Sequence, residues 1–519
     1  MKQSLQSMRA FMVSAMLVVA GAVQANSISV TNTVLGQFGT FGSTYVECDV
    51  TWDNSWRASW LEGSSTVTNW DAAWIFVKYR VVGGDGSWQH ATLSTNNSDH
   101  IVPSQALFNV GTSSNAVNAN FGVGGFLYRK NEASGNWTNH IKLCWNFAQD
   151  GVSSKAQVVV SVQAIEMVYV PQGSFYAGDG AALGAYNRFC SNNAHTTPFP
   201  ITGEGALNLG GGAGGGLNSW GVWQENGADE FNDNVNKTLS ADFPKGYNAF
   251  YCMKYELSEG QWVSFFNMLT TSQKTTRDIT SSLDGGKNSD AVVMRNTVAW
   301  TTGDATTMAP DRACNYLKWP DVTAYADWAG LRPMTELEFE KACRGPVTPV
   351  AHEYPWGTTS FTFVTNFFGA DGSGIETADN PSANCVVYYS WYHGNGYPTV
   401  PQGPVRCGMF ATSTSGRVAS GATYWGIMNM GDNLSERIVS VSYASGRAFT
   451  RVLGNGRLNA TGNADEANSL GLWGEGAAIR GANWNDPNVF METSDRVRTA
   501  EPMWGRNSVI GFRAVRQMP

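Results

Sequence analysis

Eight cysteines are the first groups in this sequence whose chemistry could matter: Cys48, Cys144, Cys190, Cys252, Cys314, Cys343, Cys385 and Cys407. No C-x-x-C occurs among them, so neither a zinc knuckle nor a thioredoxin-type pair is written locally. Their even number permits disulfides in an oxidising compartment, with the connectivity open. The six histidines are His90, His100, His140, His195, His352 and His393. None stands at i, i+3 or i, i+4 from another, so no helical metal pair exists and structural or surface roles are expected. No G-x-S-x-G elbow is present for a serine nucleophile. The glycine-rich run Gly210–Gly216 lacks both the Lys-Ser/Thr and the strand–helix frame of a phosphate loop. The formal net charge is −8 and no Lys/Arg block exists, so nucleic acid is not an expected partner.

These groups must be placed by elements that the pattern only partly reveals. At 519 residues the chain suits two to four domains. Charged residues make up only 15%, with 57 glycines and 20 tryptophans, which excludes disorder and coiled coil and suits a loop-rich globular protein. Lys2 and Arg9 precede an apolar run, Ala10 to Val23, and the small residue Ala25. This reads as a signal peptide over 1–25, with the mature chain starting at Asn26 and exported to periplasm, cell surface or medium. No second apolar run of about 18 residues follows, so no membrane span is expected in the mature chain.

Residues 26–164 read as an all-β, sandwich-like domain. Val46, Cys48, Val50 and Trp52 alternate with polar residues, and Trp74–Val82, Ile141–Phe147 and Gln157–Ala164 are further strands. No Pro/Gly/Ser linker follows, which implies a short stiff junction at 164/165. Beyond it, Ser258-x-x-Gln261 and Thr335-x-x-Glu338 are capping boxes that open helices. Pro320-Asp321 opens another, ending near Gly330.

The order of motifs after Glu166 resembles the formylglycine-generating enzyme family, the sulfatase-modifying-factor domain. The motifs are Met167-Val168-Tyr169-Val170-Pro171-Gln172-Gly173-Ser174-Phe175, Tyr255-Glu256-Leu257-Ser258, Trp328 to Glu340, Tyr354-Pro355-Trp356-Gly357, the signature GIMNMGDNLSE from Gly426 to Glu436, Ile479 to Trp484, and Ile510-Gly511-Phe512-Arg513. The resemblance implies an α+β, C-type-lectin-like fold over 165–519, with 200–245 as an insertion. It also implies structural calcium. One ion would be held by the side chains of Asn429 and Glu436 with the carbonyls of Asp432 and Leu434. A second, weaker one would use Asn366 and Asn395 with the carbonyls of Phe367 and Tyr397.

The enzymatic members of that family bind copper through two cysteines near the C-terminus. Here no cysteine follows Cys407, and Asp486 and Ser494 stand near those positions. A carboxylate and a hydroxyl do not make a soft Cu(I) site, so no copper is expected, nor iron from the scattered histidines. Trp484-Asn485-Asp486 and Glu501-Pro502-Met503 imitate calcium-lectin triplets in reversed order, a coincidence since Met503 has no amide. In binding proteins of this fold the C-terminal segment displays the ligand contacts. Asp486, Asn488, Phe490, Trp504, Arg506 and Asn507 are therefore the expected surface for a protein or glycan ligand, with Trp484 in the core. The expectation is an exported binding or structural protein without catalysis. The alternatives are an enzyme with an altered site and a self-assembling surface or filament subunit.

Overall fold

The computed structural model describes residues 28–36, 42–113, 121–181, 188–191, 194, 196–211, 215–220, 231, 235–387, 402–412, 415–465, 470, 474–500 and 505–519. The expected export segment 1–25 and Asn26, His195, His393, Asn395, Tyr397, the triplet Glu501–Met503 and Trp504 lie outside them.

Eight strands open the chain: β1 Ser29–Leu35, β2 Thr44–Glu62, β3 Ser65–Val81, β4 Gln89–His90, β5 Ala106–Thr112, β6 Gly122–Arg129, β7 Ala133–Trp145 and β8 Val158–Val170. The first half of β2 lies between β1 and β7. Its register slips between Trp52 and Ser55, and its second half then pairs with β3. Asn54 takes the bend at φ +53°, a left-handed conformation that asparagine tolerates. The inward residues Val46, Cys48, Val50 and Trp52 of β2 form one core with Ile141, Leu143 and Trp145 of β7 and Ala73, Ile75, Val77 and Tyr79 of β3.

The opposite face of β3 belongs to a different core. Ala72, Trp74 and Phe76 pack with Trp262, Phe265, Tyr325 and Trp328 from the C-terminal half. Trp74 Nε1 donates to the Ala329 carbonyl at 2.7 Å, and Phe76 meets Trp328 edge-on at 5.1 Å. A strand buried on both faces needs apolar residues of both parities, which the run Ala72 to Val77 supplies. Gly330 (φ +72°) closes this contact, because a Cβ there would meet Val123 Cγ1 of β6 at 2.5 Å.

β8 then carries the chain across without a junction. It pairs with β3 from Val158 to Val168 and with the Phe250–Met253 strand from Met167 to Val170. That strand pairs with Ala514–Gln517, which pairs in turn with Arg332–Pro333, so one sheet runs through both halves. The boundary expected at 164/165 therefore falls inside a single strand.

Helix α1 (Glu259–Asn267) and helix α4 (Glu336–Arg344) start at the capping boxes read from sequence. A helix between them, Thr271–Arg277, has its own box, Thr270 with Gln273, that the sequence reading passed over. With it named α2, α3 is Trp319–Trp328, where Asp321 accepts the Lys318 N–H at 3.1 Å. Among the insertion's described residues, Ile201, Leu209, Leu217 and Leu239 join the main core. The disulfides that the sequence permits do not form: all eight cysteines are free and buried. Six of them are spread over five separate apolar clusters, so burial and not bridging explains their number. Among the described residues no helix is long and apolar enough to cross a membrane.

Candidate functional site

The loops that follow α4 and the C-terminal sheet strand Ser435–Val439 converge on the signature Gly426–Glu436. Asn429 (φ +54°) and Asn433 (φ +69°) are both left-handed, which folds eight residues into a tight loop. Asn433 ties the loop down: its Nδ2 donates to Glu256 Oε2 at 2.7 Å, and its Oδ1 accepts the Val405 N–H at 2.9 Å. Glu256 Oε1 accepts the Leu434 N–H at 3.0 Å. Asp432 Oδ2 accepts the Val386 N–H at 2.8 Å. Glu436 Oε1 accepts from Arg513 Nε at 2.6 Å.

Three buried carboxyls thus face one guanidinium. Burial pushes Asp432 up to about 7, and Glu256 and Glu436 up as well, with Arg513 opposing for each. Glu436 Oε2 is buried and has no hydrogen-bond partner. The orphaned Glu436 oxygen is a hard donor of the kind calcium takes. Of the four groups expected to hold it, the Asn429 Oδ1 is turned to the Gly408 N–H at 2.8 Å, and the Asp432 carbonyl accepts the Leu434 N–H at 2.9 Å. At the second expected site, Asn366 Oδ1 accepts the Phe367 N–H at 2.9 Å, and the Arg295 guanidinium lies 4.5 Å from the Phe367 ring centre. Asn395 and Tyr397 are outside the described residues.

The C-terminal segment corrects the expectation of a display surface. Asp486 is buried and takes both Arg498 nitrogens, at 2.6 and 2.8 Å, and Asn483 Nδ2 at 2.6 Å. Phe490 is 9% exposed, beneath the Arg498 guanidinium at 4.2 Å. Arg506 is buried against Asp321 at 2.8 and 3.0 Å, sharing that carboxylate with Arg277 at 2.8 Å. Each is held inside because its charge or ring has an interior partner. Asn488 is half-buried and donates to the Tyr354 hydroxyl at 2.9 Å. Asn507 alone is exposed among the described members of the set. Trp484 is in the core, as expected, with Nε1 on the Ser508 carbonyl at 3.0 Å.

Residues that the sequence reading missed anchor this segment. Glu336 and Glu340 of α4 are fully buried. Glu336 accepts from Arg496 Nε and Nη2, both at 3.0 Å. Glu340 accepts from Arg480 at 3.2 Å and from Arg344 at 3.1 Å. Arg344 also donates to Ser494 Oγ at 2.7 Å. The i, i+4 pair Glu340–Arg344 was the available signal, but such pairs usually mark a solvated face. Ser494 and Asp486 are therefore both engaged by arginines.

The four described histidines are not gathered. His90 and His100 are buried on the Val123 and Ser94 carbonyls at 2.6 and 3.0 Å, and burial lowers both pKa values. His140 lies on Asp49 at 2.8 Å, and the half-exposed His352 meets Glu492 at 3.2 Å. Among the described residues no group of three or more His, Cys, Asp or Glu could hold a metal ion; the set expected at the signature loop has one carboxylate, Glu436, beside an amide and two carbonyls.

Comparison with known proteins agrees with these motifs. The sulfatase-modifying factor enzyme 1-like domain matches residues 222–518, more than half of the chain, opening within the expected insertion. Hercynine oxygenase of Mycolicibacterium thermoresistibile is 37% identical over 70 residues, 13% of this chain and 16% of that protein. Formylglycine-generating enzyme of Thermomonospora curvata is 42% identical over 55 residues, 11% of this chain and 18% of that protein. Hercynine oxygenase of Mycobacterium tuberculosis is 45% identical over 49 residues, 9% of this chain and 12% of that protein. The chain thus spans less than a fifth of each curated relative, and by the domain match it belongs to the FGE-sulfatase family.

Proposed function

We propose that this chain is an exported, non-catalytic binding or structural protein that uses the family fold, C-type-lectin-like in form, as a scaffold. A sandwich-like N-terminal layer is built into it. The observation that carries this reading is the state of Asp486 and Ser494. Where the enzymatic members of the family place copper-binding cysteines, these two side chains are tied to Arg498 and Arg344. Neither is a thiolate, and both are buried. Exposed Asn507 and half-buried Asn488 remain as contacts for a protein or glycan ligand. Calcium, held by Asn429 and Glu436 with the carbonyls of Asp432 and Leu434, would cross-link the signature loop and supply no reaction step. A second ion would use Asn366, Asn395, Phe367 and Tyr397.

The relatives' names favour a second reading, an enzyme of the same family with an altered site. Incubation with a cysteine-containing peptide, copper and oxygen separates the two. No catalytic loss of thiol is expected, and repeated turnover would refute the non-catalytic reading. The native mass of the same preparation distinguishes a soluble binder, seen as a small particle, from a self-assembling subunit.

A further inference from the structure

Three neighbouring strands set Asp71, Glu166 and Lys254 together in the seam between the N-terminal layer and the family domain. Ala73 of β3 faces Glu166 of β8, so Asp71, two residues earlier, is the diagonal neighbour of Glu166 on the same face. Lys254 directly follows the Phe250–Met253 strand. Its backbone N–H donates to the Glu166 carbonyl at 3.0 Å and its ammonium to Glu166 Oε1 at 2.6 Å. All three residues are buried, Asp71 completely. Asp71 receives Trp52 Nε1 at 3.2 Å, Ser55 Oγ at 3.1 Å and the Trp56 N–H at 2.8 Å, the residues at which β2 bends between its two pairings.

Among the described residues other charged or titratable groups also approach this place, one of them the Arg513 guanidinium, which donates to the Lys254 carbonyl at 3.2 Å. The Tyr255 ring lies 5.3 Å from the Lys254 ammonium, and the guanidinium of Arg129 on β6 donates to Ser55 beside Asp71. Glu166 Oε2 is buried and has no hydrogen-bond partner. Two carboxylates against one contacting ammonium, out of reach of water, leave one negative charge poorly compensated. The low-energy state of such a pair holds a proton between its members.

We propose that Asp71, Glu166 and Lys254 form a proton-linked latch, in which one proton held by the carboxyl pair keeps the N-terminal layer locked to the family domain and its loss loosens the seam. Burial, the largest cause, pushes Glu166 and Asp71 above the usual carboxyl range, and Lys254 opposes it in both. The neighbouring carboxylates, working against burial, raise Lys254. The folded state therefore binds more protons than the unfolded chain. The stabilisation is fully present below the ordinary glutamate range and is lost as pH rises through about 7. The latch is independent of whether the protein is a binder or an enzyme.

Urea unfolding of the full chain from about pH 5 to about pH 8.5 reads the linkage, and hydrogen exchange locates it. The pair's one proton should contribute up to about tenfold per pH unit to the fall of the wild-type folding constant, on top of the share of other raised carboxyls such as Asp432. Glu166→Gln and Asp71→Asn, which keep the shape and remove the shared proton, should each reduce that slope by up to one proton, the rest of it staying with carboxyls such as Asp432. An unchanged slope in both variants would overturn the proposal. Should neither variant fold, exchange in the wild type decides. After correction for intrinsic rates, amides of β8 and Phe250–Met253 should lose protection as pH rises from about 5 to about 7, ahead of those in β7. Uniform loss across these strands would refute the latch.

Discussion

Trp74→Ala tests the most consequential feature of this fold, that β3 serves two cores at once. The indole is fully buried, 4.7 Å from the Phe126 ring and 4.5 Å from the Arg516 guanidinium, with its N–H on the Ala329 carbonyl. Removing a buried tryptophan costs about 3–5 kcal/mol through lost transfer energy and the cavity left behind. The stranded Ala329 carbonyl adds about 1–3 kcal/mol where no water replaces the donor. Arg516, itself deprived of a ring, adds about 0.5–2 kcal/mol. These effects share one site and do not sum fully, so about 4–7 kcal/mol is expected, against a total stability of about 5–15 kcal/mol. Trp74→Phe keeps most of the packing and should cost about 1–3 kcal/mol, largely the unpaired carbonyl. The assay is urea unfolding with hydrogen exchange read separately in β7 and in the Ala514–Gln517 strand. Both segments should shift together, because β3 and β8 join them in one cooperative unit. A variant in which β7 unfolds early while Ala514–Gln517 keeps its wild-type midpoint would show that the two halves merely touch.

Two further predictions concern the site and the thiols. If calcium occupies the signature loop, chelation should lower the melting temperature, calcium and not magnesium should restore it, and Glu436→Gln should abolish the response more fully than Asn429→Ser. Ion bound at a hundredfold excess over Kd is worth about 2.7 kcal/mol, and identical melting curves with calcium and chelator on ion-free protein would refute the site. All eight thiols should resist iodoacetamide in the native protein and all react after denaturation. Burial pushes Cys48 to about 12 and Cys190 to about 11, which suppresses the reactive thiolate, and native labelling of either residue would contradict the core placement.

What the sequence disclosed, and what it hid, follows the range of the interactions concerned. Capping boxes act within three residues, so α1 and α4 were legible at Ser258–Gln261 and Thr335–Glu338. The box at Thr270–Gln273 was equally visible. Parts of β2, β3, β7 and β8 were legible as strands for the same local reason, β2 by its period of two. The seam was not, although Ala72 to Val77 carries apolar residues of both parities, because only pairing with residues far along the chain tells a doubly buried strand from a sandwich strand. Asp486 and Arg506 mislead more strongly. In a polar loop a charge reads as solvated, yet Asp486 is closed by Arg498 twelve residues on, and Arg506 by Asp321 at a separation of 185 residues. The family motifs survive this loss of information because they mark the points where such long-range partners meet. Glu256, Asn433, Glu436 and Arg513 all belong to quoted motifs, and all four lie in one buried network. Motif residues in this chain therefore report first on how the loops are held. A ligand-contacting role has to be sought at positions such as Asn507, where no interior charge claims the side chain.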